Sequence, residues 1–451
     1  MEVHDDYVFD YDKEPRREIL CIDCKSFYAS VEAVDRGLDP LTAKLVVMSY
    51  PADGPRQRAS GLILASSPAA KQAYGISNVS RAGDLPYPYP DDLYIVPPRM
   101  RYYMEKNQEI NQIYRSFVAA EDHAVYSIDE SFLDISASMR LFKQATAGDF
   151  AAMVQRAVYE GTGIYVTVGI GDNPLLAKLA LDNAAKHQKN MRAEWRYEDV
   201  PQTLWQMDGL TDFWGIGKRM ARKLQALGIQ SIYDLAHSNP YLLRDKFGRL
   251  GEQLYAHSWG IDRSFIEPLK PPETKSLGNH QILPRDYDQA GEILTVVKEM
   301  GEQLATRLRR EGYKAQGLTL VLGYSKGYCS PDGKTFRRAS GRLLASQRRS
   351  ELLPVLERLF AQIYQGQVVR NIGVSAFDLE EAGCEQLSLF AADPKTDALE
   401  AVIDKIRQKY GFKSLVPATS LCSGARAIAR SQLVGGHAGG MAGIEDVATD
   451  G

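Results

Sequence analysis

Short apolar runs recur through the first two hundred residues, each closed by polar or turn-forming positions. REILCID (17–23), KLVVMSY (44–50), GLILAS (61–66), HAVYSI (123–128), SFLDIS (131–136) and IYVTVGIG (164–171) have strand length and are rich in β-branched and aromatic residues. Between them, apolar residues return every three or four places in SFYASVEAVD (26–35), AAKQAYG (69–75), RYYMEKNQEINQIYRSF (101–117), GDFAAMVQRAVYEG (148–161) and PLLAKLALDNAAKH (174–187). That spacing predicts helices, the first begun by Ser26. Alternating strands and helices make an α/β or α+β body to about residue 205.

The pattern then changes. DFWGIGKRMARKLQALGIQSIYDLA (212–236) reads as a small helical unit in which Gly215-Ile216-Gly217 turns into a basic amphipathic helix and Gly228 ends it. This is how a helix-hairpin-helix is written, with backbone N–H groups at the turn able to hold a DNA phosphate; an ordinary hairpin with glycine caps fits as well. EPLKPPETK (267–275) reads as an extended linker. Beyond it, strand NHQILP, a helix from Asp288 to Gly312, strands GLTLVLGYS and KTFRRASGRL, helix ELLPVLERLFAQIY and strand VRNIGVSAFDL form a β-α-β-β-α-β module. QLSLFAADP (386–394) looks like an exposed peptide, DALEAVIDKIRQKYG (397–411) like one more helix, and the glycine-rich end like a flexible tail. The whole is an α+β multidomain chain.

With 451 residues the chain exceeds one ordinary core, and 44% hydrophobic with 25% charged residues is a globular composition. No apolar run is long enough to span a bilayer, and the acidic opening is unlike a signal peptide, so a cytoplasmic protein without a membrane partner is expected. Cys21 and Cys24 have no second pair to complete a zinc site and fit a buried strand. The net charge of −3 is unevenly spread: bases cluster in GKRMARK (217–223), RLRR (307–310) and FRRASGRLLASQRR (336–349). Each cluster is either a phosphate-binding patch or a solvated face.

Asp129 and Glu130 stand side by side within the strand-like YSIDESFLDIS. Two buried acids repel unless something compensates them, and an oxygen-rich site without His or Cys favours Mg²⁺ or Mn²⁺. Both reach one cluster only if the segment turns between the two strands, with Asp23 at the end of the first strand as a third carboxylate. Surface exposure or a salt bridge is the commoner fate of such acids.

CIDCKSFYASVE, YSIDESFLDIS, VGIGDNPLLAKLALDNAAKH and the GIG turn, in this order, resemble the Y-family translesion DNA polymerases, in particular the UmuC-like (ImpB/MucB/SamB) branch of Gram-positive type. The resemblance covers roughly residues 16 to 415. It implies a right-hand fold: an acidic leader (1–15), a palm (16–30 and 91–205), short fingers (31–90), a thumb with the helix-hairpin-helix (206–268), a linker (269–275), a little finger (276–380), a clamp-binding peptide (381–395) and a C-terminal helix with a flexible tail (396–451). By the same resemblance Asp23, Asp129 and Glu130, with the Cys24 carbonyl, would hold two Mg²⁺ ions. Tyr28 matches a steric gate against the ribonucleotide 2′-hydroxyl, with Phe27 packed beside it, although a core tyrosine is the plain reading. Ser67, Lys71 and Lys186 are candidates for the triphosphate. Lys178 and Lys186 are expected on nearly one face of the helix after GIGDNP. Gly215, Gly217, Lys218 and Arg219 would hold DNA at the thumb, and Arg337, Arg338 and Arg342 on a sheet of the little finger. Gln386, Leu387, Leu389 and Phe390 resemble the peptide that docks on the bacterial sliding clamp (beta subunit).

The implied function is template-directed DNA synthesis across damage, with primer-template DNA, deoxynucleoside triphosphates, the clamp and accessory SOS proteins as partners. A weakly catalytic protein that occupies damaged primer ends or the clamp is the alternative. A nucleotidyl cyclase with a similar palm would leave the hairpin, the arginine-bearing module and the clamp-like peptide without purpose.

Overall fold

The computed structural model describes residues 9–49, 61–77, 80–266, 276–325, 327–330, 332–382, 394–431, 433–434 and 437–438. The linker at 267–275 and the peptide at 386–390 lie outside these residues.

The first body begins with β1 (Ile19–Cys24), α1 (Phe27–Asp35), β2 (Lys44–Ser49), β3 (Leu62–Ser66), α2 (Pro68–Tyr74) and β4 (Leu93–Val96). It continues with α3 (Met100–Arg115), β5 (His123–Val125), β6 (Glu130–Asp134), α4 (Ser138–Leu141), α5 (Ala147–Thr162), β7 (Val166–Gly171), α6 (Pro174–Asn183) and β8 (Arg192–Trp195). Its main sheet has the order β5-β6-β1-β7-β8, antiparallel except for the parallel β7–β8 pair. One face packs on α3 and α5 through Leu20, Ile22, Tyr103, Leu133, Phe150, Val154 and Val168. The other face, with Ile19, Cys21 and Phe132, lies under α6. Both faces are covered, which is why β1 and β7 read as continuous apolar runs rather than alternating ones.

Gly169 and Gly171 of β7 set the distance to α6. A Cβ at Gly169 would overlap the Ala177 carbonyl, and one at Gly171 would press on the Ala177 amide. Their absence lets the helix backbone lie directly on the strand. Asn173 caps α6, its Oδ1 accepting from Leu176 N–H at 3.0 Å, with Pro174 at the first helical position.

The smaller sheet, β3-β2-β4, joins the parallel strand β4 to β2, which carries it past the boundary expected at residue 90. The helical unit contains α7 (Lys218–Gln225), α8 (Ile232–Ala236), α9 (Pro240–Phe247) and α10 (Arg249–Ser258), around Phe213, Ile216, Leu224, Leu235 and Leu243. The last body contains β9 (Ser276–Tyr287), α11 (Ala290–Glu311), β10 (Tyr313–Tyr324), β11 (Phe336–Ser346), α12 (Arg349–Ile363) and β12 (Val369–Glu381). Its sheet order is β11-β10-β12-β9, with α11 and α12 packed on one face, as the β-α-β-β-α-β reading expects.

Both chain ends make contacts to which the sequence assigns no role. Residues 9–15 of the acidic leader pack on the helical unit: Phe9 lies against Tyr255 and Trp259, Tyr11 stacks on Tyr197 at 5.0 Å and donates to the Trp259 carbonyl, and Glu14 pairs with Arg263. Aromatic and apolar positions scattered among the acids carry this contact, a pattern that net charge conceals. At the other end, α13 (Pro394–Tyr410) is followed by a segment that docks on α11 up to residue 431. Arg309 bonds Glu400 and Asp404, and buried Glu299 accepts the backbone N–H groups of Arg426 and Ala427 at 2.7 and 3.0 Å.

Candidate active site

The acid-rich turn is a hairpin. Tyr126 N–H and Ser127 N–H both donate to the Glu130 carbonyl, at 2.9 and 3.0 Å, closing the connection between β5 and β6. The turn puts the two neighbouring acids in different roles. Glu130 begins β6 and sits directly across from Asp23 on antiparallel β1, so both side chains leave the same face of the sheet. Asp129 precedes the strand; its carbonyl accepts the Cys24 N–H at 2.9 Å, while its carboxylate takes the Ser127 hydroxyl at 2.7 Å. From behind, Asn107 donates to the Ile128 carbonyl at 2.6 Å and so fixes the turn to α3.

Three carboxylates therefore gather at the open end of β1 and β6. Burial above all, together with the charges of Asp129 and Glu130, pushes the Asp23 carboxyl up to about 7 against the pull of Lys186. Lys178 Nζ lies 2.5 Å from Glu130 Oε1 and 3.0 Å from Asp182. Lys186 Nζ lies 3.4 Å from Asp23 and 2.8 Å from Asp182. Lys186 is not on α6, which ends at Asn183; it belongs to a 3-10 turn, Ala185–His187, that brings it back over Asp182. Among the described residues no three ligating side chains form a closed cage, since Glu130 is turned to Lys178 and Asp129 to Ser127. The donor set is all oxygen, partly buried and electrostatically frustrated, which suits a hard divalent cation.

Lys71 reaches into the cleft from α2, its Nζ 3.2 Å from the Ser26 hydroxyl, and burial lowers its pKa while the Asp23 charge opposes that. Ser67 is not offered to a ligand. Its hydroxyl donates to the Ala43 carbonyl at 2.6 Å and accepts from Leu45 and Ala70 N–H, so it caps α2 and ties it to β2. Phe27, 3% exposed in the core, packs beside Tyr28 as expected, with ring centroids 5.7 Å apart. Tyr28 is half-buried beside the acids and stacks on Tyr103 at 4.4 Å, with an interplanar angle of 17°. Tyr103 in turn donates to fully buried Glu32 at 2.8 Å, which Arg99 grips through two bonds and Arg36 through a third. Burial alone would raise the Glu32 carboxyl, but Arg99, Tyr103 and Arg36 outweigh it and hold it low. Arg36 is an i,i+4 neighbour of Glu32, but Arg99 and Tyr103 lie some seventy residues away and no local pattern announces them.

At the thumb turn, Gly215 has φ +97°, and Gly217 precedes α7 without a side-chain cap. The first-turn N–H groups of α7 therefore face outward beside exposed Lys218 and Arg219. On edge strand β11 the arginines divide by the pleat. Arg338 and Arg342 are exposed on the open face. Arg337 belongs to the opposite face, the one on which Gly341 meets Leu359, and pairs with Asp332 at 3.3 Å. Arg342 pairs with Asp378 at 2.6 Å and lies over the Phe377 ring.

A carboxylate pair on a five-stranded sheet, a glycine turn heading a basic helix and a four-stranded module with open-face arginines together define a Y-family polymerase architecture. The sequence matches the impB/mucB/samB family at residues 22–182, that family's C-terminal domain at 274–389 and its helix-hairpin-helix motif at 197–229. UvrX of Bacillus subtilis (strain 168), named for UV-damage repair, is 40% identical over 434 residues, covering 95% of this chain and all of that protein. DNA polymerase IV 2 of the same organism is 31% identical over 93% of this chain and 98% of its own length. A solved Y-family DNA polymerase chimera of Dbh and Dpo4 has the same fold, with a TM-score of 0.62 and 21% identity over 80% of this chain and 98% of that one. The chain belongs to the impB/mucB/samB family, the UmuC-like polymerases of Gram-positive type.

Proposed function

We propose that the protein is a template-directed DNA polymerase of the translesion type, adding deoxynucleotides to a primer 3′ end on damaged templates. The observation that carries the proposal is the pairing of Asp23 with Glu130 across β1 and β6, with Asp129 held beside them and Lys186 and Lys71 turned to the same cleft. In this reading the large sheet is the palm, β2, β3 and α2 belong to the fingers, α7 to α10 are the thumb, and the last sheet is the little finger.

Asp23, Asp129 and Glu130 would hold the metal ions, with the Cys24 carbonyl as a backbone donor at the end of β1. When bound, Mg²⁺ or Mn²⁺ supplies acidity to the primer hydroxyl and neutralises charge at phosphorus. Lys186 and Lys71 meet the triphosphate, and Lys178 keeps Glu130 compensated from below. Tyr28, braced by Tyr103, stands where a ribose 2′-hydroxyl would press against its ring. The outward N–H groups at Gly217, with Lys218 and Arg219, hold a phosphate of the DNA, and Arg338 and Arg342 track the duplex backbone. Gln386, Leu387, Leu389 and Phe390, outside the described residues, would dock on the sliding clamp.

Primer extension on undamaged and lesion-bearing templates, with and without the clamp, tests the reading. Incorporation opposite the lesion supports it. DNA and clamp binding without incorporation favours a protein that competes with other polymerases at damaged sites.

A further inference from the structure

Phe213 and Ile216, on either side of Trp214 and Gly215, are 1% and 3% exposed in the thumb core, and Ile216 N–H closes the turn on the Phe213 carbonyl at 3.0 Å. Trp214 does not follow them. Its indole packs at once against the thumb core and against the palm layer under α6. There it meets Tyr126 edge-on at 5.9 Å and Phe132 at 6.3 Å, while Tyr126 meets Phe132 edge-on at 5.6 Å. Indole N–H lies 3.4 Å from the Tyr126 hydroxyl, at the long end of hydrogen-bond reach, so ring packing carries the contact.

Both palm partners belong to the acid-bearing hairpin. Tyr126 N–H helps close it on Glu130, and Phe132 lies two residues beyond Glu130 on the same face of β6. One indole therefore touches the element that carries the carboxylates, and the next residue, Gly215, opens the turn that offers backbone N–H groups to a phosphate. We infer that Trp214 and Tyr126 are positioning residues that fix the thumb turn at a set distance from the carboxylate hairpin, so that a strand held at Gly217 presents its end in register with Asp23 and Glu130. Tyr126 is 48% exposed, so its contacts with Trp214 and Phe132 lie at the surface of the joint.

The inference rests on the polymerase reading, and its test separates the two. Single-nucleotide incorporation, primer-template Kd and the thermal midpoint are measured for the full-length protein and for Trp214→Ala, Trp214→Phe, Tyr126→Ala and the double alanine variant. Misplacing the primer end lowers kcat rather than DNA affinity. Trp214→Ala and Tyr126→Ala are expected to lose about tenfold or more in kcat with Kd within about twofold, the double variant to lose no more than the worse single, and Trp214→Phe to recover most of the rate. An active wild type whose Trp214→Ala variant keeps its kcat overturns the inference, as do additive losses in kcat that track the thermal midpoint. A wild type that incorporates nothing overturns the polymerase reading itself.

Discussion

Asp23 and Glu130 face each other across two antiparallel strands, and each has its own lysine: Lys186 is 3.4 Å from Asp23 and Lys178 is 2.5 Å from Glu130. The lysines differ in setting. Lys178 is 5% exposed beneath the sheet, whereas Lys186 lies at the edge of the cleft with over a third of its side chain open. The first is held between Glu130 and Asp182; in the proposed reading the second would exchange partners when an anionic substrate arrives.

Removing Lys178 leaves Glu130 without its cation, while Asp182 keeps Lys186. Lys178→Met is expected to destabilise the metal-free protein by about 3 kcal/mol, the scale for a buried pair broken on one side. Magnesium should recover part of that loss. Thermal unfolding with and without Mg²⁺ checks it, and a midpoint within 1 °C of wild type would remove Lys178 from this role.

Tyr28→Ala opens the space next to Tyr103. Ribonucleotide incorporation relative to deoxynucleotide should rise at least about tenfold, the scale of one lost steric contact of this size. Competition assays with the paired triphosphates measure it; an unchanged ratio places the gate elsewhere.

The leader bridges palm and thumb through Phe9, Tyr11 and Glu14. Deleting residues 1–14 should lower the unfolding midpoint by about 5 °C, as expected for losing two partly buried aromatic side chains and an ion pair from a unit of this size. Calorimetry of the truncated chain reads the shift directly.

His123 is 4% exposed on β5, against Tyr114 and Ser131 and near Arg115, and burial lowers its pKa to about 4. The unfolded chain then binds a proton that the folded chain refuses. The stability His123 contributes is complete above pH about 6.5 and is lost as pH falls toward 4, by at most about 3 kcal/mol. Denaturant titrations at pH 7 and pH 4.5 should show a smaller loss for His123→Gln than for wild type. An equal loss would show that this residue does not drive the decline.

Strands that are buried on both faces, such as β1 and β7, were legible because their apolar runs leave little choice of structure. The acid pair was legible because two adjacent carboxylates in such a run demand compensation. What the chain could not announce were contacts between distant positions. Glu32 finds Arg99 and Tyr103 only after α3 folds over α1, and Trp214 finds Tyr126 only when the thumb meets the palm. Ser67 misled because a hydroxyl at a helix start serves as a cap or as a ligand with the same spelling, and only its bonds to Ala43, Leu45 and Ala70 decide. Arg337 misled because a run of basic residues on a strand divides between two faces.

The most direct test of the carboxylate assignment is single-nucleotide incorporation by Asp23→Ala, Asp129→Ala and Glu130→Ala, with primer-template affinity measured in parallel. Each variant is expected to lose at least about a thousandfold in rate while binding DNA within about threefold of wild type, since these groups act on the reaction rather than on the duplex. Any one of the three retaining a rate within tenfold of wild type would contradict its place in the site.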